Sequence, residues 1–153
     1  MAKRILIFLV LNFVALGLGG LATSSGVASD WYQQLRKAPW TPPGWVFGFA
    51  WSTIMICYAV YMAVLWNHVN DRKRWMTWFA LQWVLNVSWN PVFFAWHQVN
   101  AGLVIITLLL GLITWFTLGC ARRMGWWTLL ILPYLIWLVI ATSLNAYIAW
   151  FNA

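Results

Sequence analysis

Acid is what this chain lacks most: its 153 residues include two acidic side chains, Asp30 and Asp71, and no glutamate. No carboxylate falls inside any apolar run, which excludes paired-carboxylate acid–base chemistry and the mid-membrane ionisable group of a proton-coupled transporter. There is no Ser/His/Asp set, no HExxH and no nucleotide-binding glycine loop. Cys57 and Cys120 are the only cysteines. They have no metal-ligand spacing and read as packing residues. His68 and His97 stand at the ends of apolar runs, so we expect no metal site, no haem ligation and no required cofactor. Charged residues of either sign make up 7% of the sequence, against about a quarter in a soluble domain.

What is present is apolar and aromatic. Hydrophobic residues reach 64%, mean hydropathy is +0.78, and there are 15 tryptophans. Composition therefore gives an all-α integral membrane protein. Five runs of about 20 residues, the length that spans a hydrocarbon core of about 30 Å, fall at about 5–23, 45–66, 75–96, 101–121 and 126–150. They predict one domain, 1–153, built as a five-transmembrane-helix bundle. The first run also has the shape of a secretory leader, with 27–29 as a cleavage site; we read it as the first span. The net charge of +7 is spread over short hinges, which reads as topology rather than nucleic-acid binding. Lys3, Arg4, Arg72, Lys73, Arg74, Arg122 and Arg123 fall on one side, Arg36 and Lys37 on the other. The positive-inside rule then makes the N-terminus cytoplasmic in a bacterial cell membrane; an outer-membrane location would lie outside the rule.

Two stretches carry the candidate site. Trp31 to Trp51 is crowded with indoles and stiffened by Pro39, Pro42 and Pro43, whose fixed φ and missing N–H stop a helix. Segment 24–44 thus predicts a structured loop that lids a cavity; the alternative is a surface loop with tryptophans at headgroup level. In the third run Gln82, Asn86 and Asn90 recur every four residues, with Trp89, Phe93 and His97 on or beside that face. Amides in hydrocarbon need partners or a cavity, and Pro91 predicts a kink that widens the space. Helix-to-helix hydrogen bonding competes with a ligand site, most strongly at Asn90. Phe47, Trp51, Met55, Tyr58 and Met62 share one face of the second run, and Tyr134, Trp137, Ala141 and Leu144 one face of the fifth; bundle core is the competing reading for both. Asn12, Ala15, Gly19 and Thr23 form a small-residue face on the first.

These residues resemble the translocator protein family, also called peripheral-type benzodiazepine receptors or bacterial tryptophan-rich sensory proteins. The resemblance covers nearly the whole chain and rests on Trp31, Tyr32, Leu35, Lys37, Trp40, Pro42, Pro43, Trp45, Val46 and Trp51; on Gln82, Asn86, Trp89, Pro91, Phe93 and Phe94; and on Pro133, Tyr134, Leu135, Trp137, Ala141, Thr142, Leu144 and Asn145. It implies a five-helix bundle, usually a homodimer, whose cavity takes porphyrins such as protoporphyrin IX and benzodiazepine or isoquinoline-type ligands. By position Trp31, Trp40, Phe47, Trp51, Gln82, Asn86, Trp89, Phe93, Trp137, Ala141 and Leu144 would bind the ligand. The expected role is tetrapyrrole sensing, transport or stress regulation. The alternative is light-dependent porphyrin degradation, for which the resemblance points to Trp51 and Trp137. Lys37 is followed by Ala38 before Pro39, where the family commonly has Lys-Pro. The sterol motif near the C-terminus is incomplete, since no basic residue follows Tyr147, so sterol binding is not carried over. Expected partners are membrane lipid and a second copy, through Gly44, Gly48 and Ser52 or the glycines of the first helix.

Overall fold

A computed structural model describes residues 1–152, and among them all regular structure is helical. The long helices are α1 (Ala2–Val27), α3 (Gly44–His68), α4 (Arg72–Asn90), α5 (Val99–Met124) and α6 (Leu132–Phe151), with a short α2 (Asp30–Gln34) after α1. Each long helix packs on two neighbours, in the order α1, α3, α6, α5, α4 and back to α1, which closes a ring. Toward one end α3 and α5 also meet across it, where the Tyr61 hydroxyl donates to the Phe116 carbonyl.

Four segments are long and apolar enough to cross a membrane: α1, α3, α5 with the turn after it (Val99–Leu130), and α6. Helix α4 has 19 residues, but its basic first turn and its amides at 82, 86 and 90 lower its hydropathy. Polar side chains tie it to α1 instead: Trp83 Nε1 donates to the Leu11 carbonyl at 2.9 Å and the Thr23 hydroxyl to Asn90 Oδ1 at 2.7 Å. The small-residue face of α1 brings them close at Gly19, while Asn12 on the same face donates to the Met55 carbonyl of α3. A Cβ on Gly19 would lie 2.6 Å from Asn90 Nδ2. Gly19 therefore serves a contact within the chain, whereas Gly44 and Gly48 have open space beside them.

Three boundaries differ from the sequence expectation. Helix α1 runs on to Val27, and Ser29 caps α2 by accepting from the Tyr32 N–H. The non-helical parts of the first connection are thus the two-residue turn 28–29 and the proline-bearing portion 35–43, rather than all of 24–44. The third run ends as a π-helical turn, Pro91–Ala95, closed by Trp96 N–H to the Pro91 carbonyl; Pro91 cannot donate to the preceding turn, and the backbone widens after it. The last run is broken: a 3-10 turn (Gly125–Leu130) precedes α6, which begins with Pro133 in its first turn, where a missing N–H costs nothing.

The hydrogen bonds place the chain's ends. Arg4 donates to Asn67, and Arg4 and Arg72 both lie over Trp66, at 5.7 and 5.4 Å. Arg123 lines one cavity with His68 and Arg74, so the basic residues of the N-terminus, of the α3–α4 hinge and of the end of α5 gather at one end of the ring. At the other end Asn152 exchanges hydrogen bonds with the backbone of Arg36, which straps the first connection to the end of α6.

Candidate functional site

Gln82 of the polar stripe and Trp89 beside it face α6 from across the ring, and the two hydrogen bonds they make join α4 to α6 as rungs, while Asn90 is turned to α1. Nearer the basic end, Gln82 Nε2 donates to the Tyr134 hydroxyl at 2.7 Å. Nearer the loop end, Trp89 Nε1 donates to Asn145 Oδ1 at 3.1 Å, and Asn145 Nδ2 donates on to the Val99 carbonyl. Between the rungs, by position along the two helices, lie Asn86, Trp137 and Ala141, all buried.

Aromatic rings fill the space around the first rung. Trp137 meets Phe47 edge-on at 5.2 Å, and Tyr134 meets Trp51 at 6.0 Å and Tyr58 at 5.4 Å. These are favourable offset and edge contacts, and they bring α3, α4 and α6 to one point. Polar satisfaction is incomplete there. Gln82 Oε1, Trp137 Nε1 and the Tyr58 hydroxyl are buried without a hydrogen-bond partner. A buried unpaired group costs about 1–3 kcal/mol, so an acceptor and two further polar groups left open around one aromatic cluster mark a place where something polar can be received.

A second aromatic group sits at the loop end. The wide turn after Pro91 buries Phe93 and Phe94 and stacks Phe93 on Trp89 at 5.3 Å. Trp31, presented by α2, packs edge-on against Phe93 at 5.8 Å and lies flat on His97 at 4.1 Å. His97 has φ 55°, a left-handed turn that histidine tolerates better than most residues and that redirects the chain into α5. Tyr32 packs on Phe94, and burial pushes its phenol above the ordinary range.

The sequence-nominated residues are thus divided. Phe47, Trp51, Gln82 and Trp137 meet at the inner cluster; Trp31, Trp89 and Phe93 meet at the outer one. Leu144 lies buried next to Asn145. Trp40 joins neither: it is 54% exposed, meets Tyr147 edge-on and donates to the Ser143 hydroxyl. Sequence reading missed Tyr134 and Asn145 as polar partners of the stripe, although both were noted by resemblance; each pairs with a residue more than 50 positions away. A cavity of about 600 Å³ occurs elsewhere, at the basic end, lined by His68, Asn70, Asp71, Arg74, Trp75, Trp115, Gly119 and Arg123. Around the first rung the side chains touch one another.

Residues 7–151 match the TspO/MBR family. The chain is 33% identical over 147 residues to the tryptophan-rich protein TspO of Archaeoglobus fulgidus, covering 94% of each chain. It is 30% identical over 140 residues to the tryptophan-rich sensory protein of Cereibacter sphaeroides, with 90% of this chain and 87% of the relative covered. It is also 30% identical over 135 residues to the human translocator protein, covering 82% and 76% respectively. With the match spanning all the long helices, the chain belongs to the TspO/MBR family of membrane proteins.

Proposed function

We propose that the protein is a membrane receptor of translocator type that takes a flat aromatic ligand between α3, α4 and α6. The ligand class is porphyrin, protoporphyrin IX in particular, with benzodiazepine and isoquinoline-type compounds as alternative occupants. The observation that carries this reading is the pair of orphaned polar atoms, Gln82 Oε1 and Trp137 Nε1, set among Phe47, Trp51 and Tyr134. A pocket that is mostly apolar with a few convergent polar groups is the usual form of a small-molecule site. Entry of a tetrapyrrole would turn the edge-on rings aside and stack them on its faces. The names borne by the relatives, sensory protein and translocator protein, fit tetrapyrrole sensing or transport.

In this reading α4 is the fifth span, the N-terminus and the basic end are cytoplasmic in a bacterial cell membrane, and the strapped connection 35–43 with α2 covers the far end of the site. The functional unit is a homodimer, for which Gly44 and Gly48 remain open. The test is a titration of the purified protein with protoporphyrin, followed by tryptophan quenching and the Soret band. Asn86→Ala and Trp137→Ala should each weaken binding about fivefold, the loss of roughly one polar or stacking contact, while Trp40→Ala should change it less than twofold. Full affinity in either of the first two would move the site elsewhere.

A second reading has one observation in its favour: Trp51 and Trp137 both border the inner cluster. A porphyrin held there and excited by light would have two oxidisable indoles in contact, with dioxygen as the oxidant. Under illumination, Soret loss beyond that of free porphyrin, abolished in Trp51→Phe/Trp137→Phe while binding persists, would establish degradation. Unchanged bleaching in the double variant would remove it.

A further inference from the structure

The cavity of about 600 Å³ at the basic end shares no lining residue with the aromatic cluster just described and is built from two parts of the chain, the hinge between α3 and α4 and the last turns of α5. Its floor is indole: Trp75 of α4 and Trp115 of α5 stack at 5.3 Å, with their planes 22° apart. Its walls carry two guanidiniums, Arg74 from the first turn of α4 and Arg123 from the last turn of α5, with His68 from the end of α3. The one acid in the lining, Asp71, is engaged as the N-cap of α4, where it accepts from the Arg74 N–H at 3.0 Å. Two other cations of this end, Arg4 and Arg72, lie over Trp66 instead. Gly119 completes the lining, and a Cβ there would meet nothing within 4 Å.

We propose that this groove is a binding site for the phosphate headgroup of an anionic phospholipid. Two arginines on different helices supply forked donors matched to phosphate oxygens. Indoles beneath them suit the boundary between headgroup and acyl chain. Basic pockets between membrane helices at a positively charged face bind anionic headgroups on the same physical grounds. Gly119 is the opening: a side chain at that position would stand in the space the headgroup takes. The site is independent of the porphyrin reading, because none of its lining residues belongs to the inner or outer aromatic group.

The test uses the full-length protein in neutral detergent, stripped of lipid and offered phosphatidylglycerol or phosphatidylcholine, with retained lipid counted by native mass spectrometry. Phosphatidylglycerol should be retained about tenfold better, the worth of one charge-assisted contact. That preference should vanish in Arg74→Gln/Arg123→Gln and in Gly119→Leu, and persist in Arg36→Gln/Lys37→Gln at the opposite end. Gly119→Leu replaces a helical glycine where space is open, so its helicity and melting temperature should be retained. Displacement of phosphatidylglycerol by inorganic phosphate in the millimolar range would overturn the lipid assignment in favour of a soluble phosphate. Equal retention of the two lipids by the unmodified protein, or a preference that survives both groove variants, would overturn the site itself.

Discussion

The double variant Gln82→Met/Tyr134→Phe should unfold at the same temperature as the parent protein or higher, yet bind protoporphyrin about tenfold more weakly. The two effects have opposite signs because the first rung serves stability poorly. Gln82 is 2% exposed and uses its amide N–H on the Tyr134 hydroxyl, while its carbonyl oxygen is left without a partner. Exchanging both members for apolar groups of similar shape removes one hydrogen bond together with one buried, unpaired acceptor. Such exchanges are close to neutral or stabilising, within about 1–2 kcal/mol. A ligand oriented by those polar atoms loses them outright. A variant that loses stability and keeps its affinity would show that the amide belongs to the bundle's own packing. The single variant Tyr134→Phe is the less informative choice, since it strands the Gln82 N–H as well.

Gly26→Ala should be the most destabilising single methyl addition in α1. An added Cβ would lie 2.4 Å from the Phe94 Cβ, and neither atom can rotate away, because each is fixed to its backbone. Carbon atoms rest about 3.5–4.0 Å apart, so α1 and the π-helical turn must separate by more than an ångström. The expected cost is about 3 kcal/mol, the upper part of the overpacking range. That separation also strains the nearby Thr23–Asn90 hydrogen bond between α1 and the end of α4. Gly20→Ala is the control: its Cβ meets nothing within 4 Å, and a helical alanine is favoured over glycine by about 1 kcal/mol. Thermal melts of the two variants in detergent check the contrast, and equal midpoints would rule out the close approach at Gly26.

Local patterns were legible in the amino-acid sequence, and meetings between distant segments were not. The four-residue recurrence of Gln82, Asn86 and Asn90 announced a buried polar stripe, and Gln82 and Asn86 are buried. Small residues on α1 announced a close neighbour, which proved to be α4 at Gly19 and Thr23 and α3 at Asn12. Pro91 was read as a kink, whereas the chain forms a π-helical turn there, because the sequence does not say whether a freed carbonyl is met by a kink or by a wider turn. The last helix was expected to begin at about 126 with Pro133 near its start, whereas α6 begins at Leu132 with Pro133 in its first turn; apolar residues on both sides hid the break at Ile131. Trp40 and Trp31 looked equivalent in a tryptophan-rich connection, yet one packs on the outside of α6 and the other on His97. The basic groove left no sequence signal, since its indoles and guanidiniums come from positions 68–75 and 115–123 and acquire meaning only when α4 lies beside α5.

Helix α4 bears on how the chain is made as well as on what it holds. A segment with three basic residues in its first turn and amides at 82, 86 and 90 gains little from lipid by itself, because each polar group set in hydrocarbon opposes transfer. Two of its polar side chains find partners on α1, the Trp83 indole donating to the Leu11 carbonyl and the Asn90 amide oxygen accepting from the Thr23 hydroxyl, and α1 leaves the ribosome first. Synthesis in that order would give α4 a polar host already embedded when it emerges, so that its insertion is assisted by an earlier part of the same chain.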